Sequence, residues 1–168
     1  VFVVSEGAEI TNNQFNITSS YGISTFNGYS TDNVLVSGNT IEASQAAGNA
    51  INIESGDGWD IENNDIYGSS SEHFTNGIVL DDTGSTPVDE VNVTGGEILN
   101  VSGTAIDVDG SDNAVNGPVS IDGVTIDLLD TGTGVNVNIN NQQATVDINN
   151  IDVNGTSTGV NIADTNDN

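Results

Sequence analysis

The feature that most constrains this chain is a repeat in two parts. The first part is an apolar residue, four residues rich in Asn and Gly, and a second apolar residue. It occurs as Ile10-TNNQ-Phe15, Val36-SGNT-Ile41, Ile61-ENND-Ile66, Val93-TGGE-Ile98, Ile121-DGVT-Ile126 and Ile148-NNID-Val153. The second part is a small residue followed by apolar, any, apolar. It occurs as Gly22-IST, Ala50-INI, Gly77-IVL, Ala105-IDV, Gly134-VNV and Gly159-VNI, with Thr25 as the one departure. The first part returns after 26, 25, 32, 28 and 27 residues and the second after 28, 27, 28, 29 and 25. Fixed periods of this size mark a solenoid. The alternation in the second part has the period of a strand with one buried face.

One coil of this size cannot bury its apolar edge, so coils must stack and pair each strand with its equivalents above and below. The expected unit is a single all-β domain over residues 1–168. It is a parallel β-helix solenoid of about six coils of 25–32 residues, with no cap at either end. One inward column is expected to be Ile23, Ile51, Ile78, Ile106, Val135 and Val160. Another is Phe15, Ile41, Ile66, Ile98, Ile126 and Val153. Asn13, Asn39 and Asn64 share one corner register, where stacked amides form a ladder and tolerate the left-handed backbone of a sharp turn. That register continues as Gly96, Val124 and Ile151, so the ladder should stop after the third coil. Gly68–Asn76 and Asp82–Glu90 read as surface loops.

The pattern resembles the right-handed parallel β-helix superfamily, the fold of pectate lyases, polygalacturonases, phage tailspikes and many bacterial surface proteins. The resemblance covers almost the whole chain and implies right-handed winding. It says little about function, because the fold hosts many activities. The lyases it resembles need an Arg base and cationic side chains on the uronate, and this chain has no Lys or Arg. The polygalacturonases need a basic substrate-binding motif that is missing for the same reason. The reading therefore favours a non-enzyme, with lyase chemistry the least tenable.

The charge balance excludes further classes. There are 25 acidic residues against no Lys or Arg, a formal net charge of −25. Such a chain cannot neutralise a phosphate backbone, so nucleic acid is not a partner. No apolar run approaches the length that would insert in a membrane. An acidic surface suits a saline or calcium-rich exterior, where screening and hard cations relieve self-repulsion. There is no Cys. The expected setting is extracellular or on the cell surface, in a marine or halophilic context.

Stacking suggests one carboxylate constellation. The residue after the last apolar position of the second part points outward, and over successive coils it reads Phe26, Glu54, Asp81, Asp109, Asn138 and Ala163. Glu54, Asp81 and Asp109 are thus expected on adjacent rungs, with Asp107 in the neighbouring column. Like charges about 4.8 Å apart repel by about 0.9 kcal/mol in bulk water. A bound Ca²⁺ would relieve that repulsion, which makes these four residues the candidate metal ligands. A solvated acidic face is the simpler reading. Weaker calcium-loop signals are Asp107, Asp109 and Asp112, and the tail Asp164-TND-Asn168. His73 is the single histidine, and Trp59, Tyr67 and Phe74 belong to the same coil. Exposed aromatics there would stack on a sugar, whereas a buried Trp59 would cover a corner of the core. Asn16, Asn92, Asn100 and Asn154 begin glycosylation sequons.

Two functions follow as expectations. The first is a structural or adhesive module of a large surface or filament-forming protein, stabilised by calcium and joined to neighbouring coils or to copies of itself. The second is a face that binds or cleaves a neutral glycan, with Glu54, Asp81 and Asp109 on the floor of a groove and aromatics on its rim.

Overall fold

The chain's structure is a computed structural model that describes residues 1–25, 31–81, 87–110, 115, 117–139 and 144–164. It is an all-β parallel solenoid, and each coil lays one strand on each of three faces. The chain opens with β1 (Phe2–Val3). The first coil is β2 (Glu9–Thr11), β3 (Gln14–Ile17) and β4 (Tyr21–Thr25), and the second is β5 (Leu35–Ser37), β6 (Thr40–Ala43) and β7 (Ala47–Ile53). The third holds β8 (Gly56–Glu62), β9 (Asp65–Tyr67) and β10 (Phe74–Asp81). The fourth holds β11 (Val88–Thr94), β12 (Glu97–Leu99) and β13 (Thr104–Gly110). The fifth is β14 (Pro118–Asp122) and the long β15 (Thr125–Ile139). The sixth is β16 (Thr145–Asn149) and β17 (Asp152–Asp164).

Face 1 is the parallel sheet β2-β5-β8-β11-β14-β16. Faces 2 and 3 form one sheet because β15 serves both: its start pairs with β12 and its end with β13. β17 repeats this against β15. The two parts of the repeat map onto these faces. The first part crosses the corner from face 1 to face 2, and the second part is face 3.

Both expected columns are present rung by rung. Ile23 pairs with Ile51, Ile51 with Ile78, Ile78 with Ile106, Ile106 with Val135, and Val135 with Val160. Phe15 through Val153 pair in the same way on face 2. A third column on face 1 runs Ile10, Val36, Ile61, Val93, Ile121 and Ile148. The middle members of all three are essentially inaccessible. This buried area is the main source of stability, at roughly 25 cal/mol per Å² of apolar surface removed from water.

The small residue that opens the second part has a steric cause. A Cβ built on Gly77 would stand 2.4 Å from the Ala105 carbonyl oxygen and 2.9 Å from Cγ2 of Ile98. Gly77 lies inside β10, and its missing side chain leaves room for the backbone of the next coil. Thr25, the departure from the pattern, is 2 % exposed, and its Oγ1 accepts the Glu54 backbone N–H at 2.7 Å. It faces inward like the apolar residues it replaces and gains a hydrogen bond between coils.

The Asn ladder is present but its backbone role differs from the expectation. The left-handed residue is the one before it: Asn12, Gly38, Asn63, Gly95, Gly123 and Asn150, with φ between 49° and 70°. Asn and Gly are the residues that tolerate this region. Asn39 and Asn64 are instead turned into the corner, 1 % and 5 % exposed. The backbone N–H of Asn13 donates to Asn39 Oδ1 at 2.9 Å, and that of Asn39 to Asn64 Oδ1 at 3.0 Å. The amides also donate along the stack, from Asn13 Nδ2 to Asn39 Oδ1 (3.1 Å) and from Asn39 Nδ2 to Asn64 Oδ1 (2.9 Å). Asn39 Nδ2 and Asn64 Nδ2 cap the carbonyls of Ile10 and Val36, each at 2.7 Å.

The expected Gly68–Asn76 loop is shorter than its sequence suggests. β10 begins at Phe74, whose side chain is fully buried. Of the second expected loop, residues 82–86 lie outside the described residues, and β11 begins at Val88.

Candidate functional site

The candidate site is the outer wall of face 3. Ile51 and Ile53, Ile78 and Leu80, and Ile106 and Val108 point into the core. Strand alternation therefore sends Asn52, Val79, Asp81, Asp107 and Asp109 outward. Asp81 pairs with Asp109 and Asp109 with Asn138, while Val79 pairs with Asp107 and Asp107 with Asn136. The structure thus brings Asp81 and Asp109 to adjacent rungs and sets Asp107 two residues along the same strand. Glu54 is not on the ladder with them, because β7 ends at Ile53. Its Oε1 instead accepts from Asn52 Nδ2 at 2.9 Å.

This wall is recessed. Ser24, Asn52 and Val79 face outward, yet they are 3 %, 4 % and 6 % exposed. Val79 belongs to the buried residues without being part of the core cluster. The Asp107 carboxyl is held above the usual carboxylate range. Burial is the main cause, the nearby Asp109 charge adds to it, and a hydrogen bond from Asn136 opposes it.

Sequence reasoning passed over the asparagines that organise this wall. Asn76 Nδ2 donates to Asn49 Oδ1 (3.1 Å) and Asn49 Nδ2 to Asn52 Oδ1 (2.6 Å). Further along, Asn161 Nδ2 donates to Asn136 Oδ1 (2.7 Å) and Asn136 Nδ2 to Asp107 Oδ1 (2.9 Å). Asn138 Nδ2 reaches Asp109 Oδ1 at 3.4 Å. The signal was available: the outward position of the second part reads Asn in Ala50-INI, Gly134-VNV and Gly159-VNI. Amide donors of the fifth coil supply Asp107 and Asp109 with part of the compensation expected of a cation. Among the described residues no group of three or more His, Asp or Glu side chains is arranged to hold a metal.

The aromatics do not line this wall. Trp59 is fully buried on face 1, where it pairs with Val91, and its Nε1–H has no hydrogen-bond acceptor among the described residues. It fills the core itself rather than a corner of it. Phe74 is equally buried. Tyr67 sits on face 2, its phenol pushed upward by burial and by the charges of Asp65 and Glu97. His73 is partly exposed, with Nδ1 3.2 Å from the Ser69 carbonyl oxygen. Asn16, Asn92 and Asn154 are exposed, and Asn100 is partly covered, its Nδ2 donating to Gly68 O at 3.0 Å. Asp112 and residues 165–168 of the two weak calcium signals lie outside the described residues.

No protein-family model matches the chain, and no curated protein or solved structure matches it either.

Proposed function

We propose that this solenoid is a structural and adhesive rod segment of an extracellular or cell-surface assembly, extended at its ends by further coils or by copies of itself. One observation carries the reading. Among the described residues, the large apolar side chains that stand exposed are Val1, Phe2, Val4, Tyr21, Val160 and Ile162, and they lie at or beside β1, on the first coil and on the last coil. The long walls between are polar or acidic, and a net charge of −25 discourages sideways association. Sticky ends with repellent sides suit growth along the axis. Right-handed winding goes with the β-helix superfamily that the repeat resembles, and parallel crossovers are right-handed in nearly all sheets.

Calcium enters this reading as a stabiliser of the Asp81, Asp109 and Asp107 wall, with Glu54 at its edge. A thermal melt in calcium, in magnesium at equal ionic strength and in EDTA tests it. A midpoint raised by calcium above magnesium, and lowered by Asp81→Asn, is expected. Equal midpoints in all three would remove the ion from the account.

A second reading, a neutral-glycan face, is favoured by the in-register Asp81 and Asp109 beside the desolvated Asp107. It is weakened by the burial of Trp59 and Phe74, which leaves that wall without those stacking surfaces. Single-molecule pulling and a neutral-glycan array separate the two readings. The rod reading expects high unfolding forces and no retained glycan. Saturable retention abolished by Asp81→Asn would move the function to the wall.

A further inference from the structure

The left-handed residues at the corner between faces 1 and 2 follow an order that opens one gap. Over the six coils they read Asn12, Gly38, Asn63, Gly95, Gly123 and Asn150. Asn12 and Asn63 each cover the glycine of the next coil. Asn12 Oδ1 lies 2.7 Å from the place of a Cβ on Gly38, and a Cβ on Gly95 would overlap Asn63 Oδ1. Gly123 follows Gly95, which has no side chain to lay over it. Among the described residues a Cβ on Gly123 meets only the Gly95 backbone, at 3.8 and 4.0 Å. The result is an open cleft of about 620 Å³ with Gly95, Gly96 and Gly123 as its floor. Sites for small ligands fall in the range of roughly 300–1,000 Å³. The cleft spans the third to fifth coils, so its shape is set by coils that have neighbours on both sides.

Its walls are acceptors. Asp65 pairs with Glu97 and Glu97 with Thr125 on face 2, at rungs about 4.8 Å apart. Asn63 closes the third-coil end. Asp65 is half-buried and Glu97 exposed. The Tyr67 phenol beside them is hydrogen-bonded to Asp65, and its pKa is raised by burial first and then by the charges of Asp65 and Glu97. The chain has no Lys or Arg to balance that pair. Among the described residues no three His, Asp or Glu side chains are grouped to hold a metal ion. The occupant that fits is a cation whose donors spread over two carboxylates, an amide and a hydroxyl, with a carbon stem along the glycine floor.

We propose that this cleft is an interaction surface for a basic polypeptide and that it takes a lysine side chain from that partner. A lysine ammonium carries three donors on a compact head and no acceptor. Asp65 and Glu97 take two of them, and Asn63 Oδ1 or Thr125 Oγ1 takes the third. The methylene stem lies over Gly95 and Gly123, where any side chain would stand in its way. Charge complementarity decides the partner. A net charge of −25 attracts a basic chain and repels a second copy, which has no lysine to offer. This inference goes beyond the rod reading, because a cleft in the wall binds whether or not the rod grows along its axis.

The test is a titration of the full, isotope-labelled chain with an acetylated, amidated Gly-Ser peptide carrying one lysine, followed by amide NMR at low ionic strength. Saturable shifts centred on the amides of Gly95, Gly96 and Gly123 are expected, and added salt should weaken binding. Gly123→Asn fills the cleft without changing the charge. Asn holds the same left-handed position in three other coils, so the fold should accept it. It should weaken binding at least about five-fold, as should Asp65→Asn. Asp147→Asn removes the same charge from an exposed site on face 1 and should change binding by less than about two-fold. The same peptide with its lysine acetylated should not bind. Asp65→Asn and the acetylated peptide decide the matter even where Gly123→Asn folds poorly. The proposal is overturned if the lysine peptide does not bind, if a folded Gly123→Asn binds like the parent chain, or if Asp147→Asn weakens binding as much as Asp65→Asn. It is also overturned if the shifts spread evenly over the acidic walls, if the acetylated peptide binds equally, or if putrescine, a free diamine, binds as tightly as the peptide.

Discussion

The corner between faces 1 and 2 is built in two chemistries. In the first three coils Asn13, Asn39 and Asn64 fill it with hydrogen-bonded amides. In the last two coils the same register holds Val124, 2 % exposed, and Ile151, packed against the core cluster. The left-handed residue before it persists through all six coils. The backbone turn is therefore set by one position, while the filling of the corner is free to be polar or apolar. The amide column is tied together, since Asn39 and Asn64 each take the bonds donated by the coil before. An apolar member needs only contact.

The fourth coil is the seam between the two chemistries, and there the comparison is easiest to break. Gly96 has φ +79°, and a Cβ on it would fall 2.2 Å from the Asn64 carbonyl oxygen and 2.7 Å from the Asn64 nitrogen. Gly96→Ala should cost about 3–5 kcal/mol, since backbone atoms cannot move aside. Urea denaturation measures it. A loss below about 1 kcal/mol would mean that the seam relaxes freely.

Within the amide half, Asn39→Ala removes the acceptor of two bonds from Asn13 and the donor to the Ile10 carbonyl. A buried polar group left without a partner costs about 1–3 kcal/mol, so a total of about 3 kcal/mol is expected by the same measurement. Within the apolar half, Val124→Asn tests whether an amide can stand alone. Neither neighbour, Gly96 or Ile151, offers a side-chain partner, so a loss of about 2 kcal/mol is expected. If Val124→Asn were neutral, the two halves would not differ as described.

The smallest effect lies on face 3, where amides meet a carboxylate. Burial raises the Asp107 pKa, so its charged form opposes folding. That penalty is fully present above the raised pKa and disappears below the ordinary carboxylate value. Asp107→Asn keeps an Oδ1 for Asn136 Nδ2 and removes the charge. It should stabilise the chain at neutral pH by less than about 1 kcal/mol. The gain should shrink as pH falls through that window. Melting midpoints of both proteins across pH check the sign. A variant that is less stable at pH 7 would show that the carboxylate is better compensated than its burial implies.

Much of this was legible in the residues. The small position within each face-3 strand, the alternating Ile and Val, and the spacing of the corners specified the rungs, because side-chain periodicity and coil length leave one stacking register. The end of the Asn ladder at Gly96 could be read in the same way. The candidate site was less legible. Asp81 and Asp109 are neighbours as their register requires, and the pairing of β7 with β10 stops one residue short of Glu54. The amide network on the wall went unread because outward Asn residues look like solvated decoration until their partners in other coils are known. For Trp59 a buried place in the core stood beside the rim reading, and packing turns both Trp59 and Phe74 inward.

By itself the sequence determined the solenoid, its columns and its lack of positive side chains, since these follow from local periodicity and composition. Tertiary structure decided the rest. It made the left-handed residue the one before the ladder Asn, because an amide that turns into the corner must follow the turn and not be it. It recessed the outer wall of face 3 and raised the pKa of the Asp107 carboxyl. Each of these depends on which coils lie above and below a residue, which no single repeat contains.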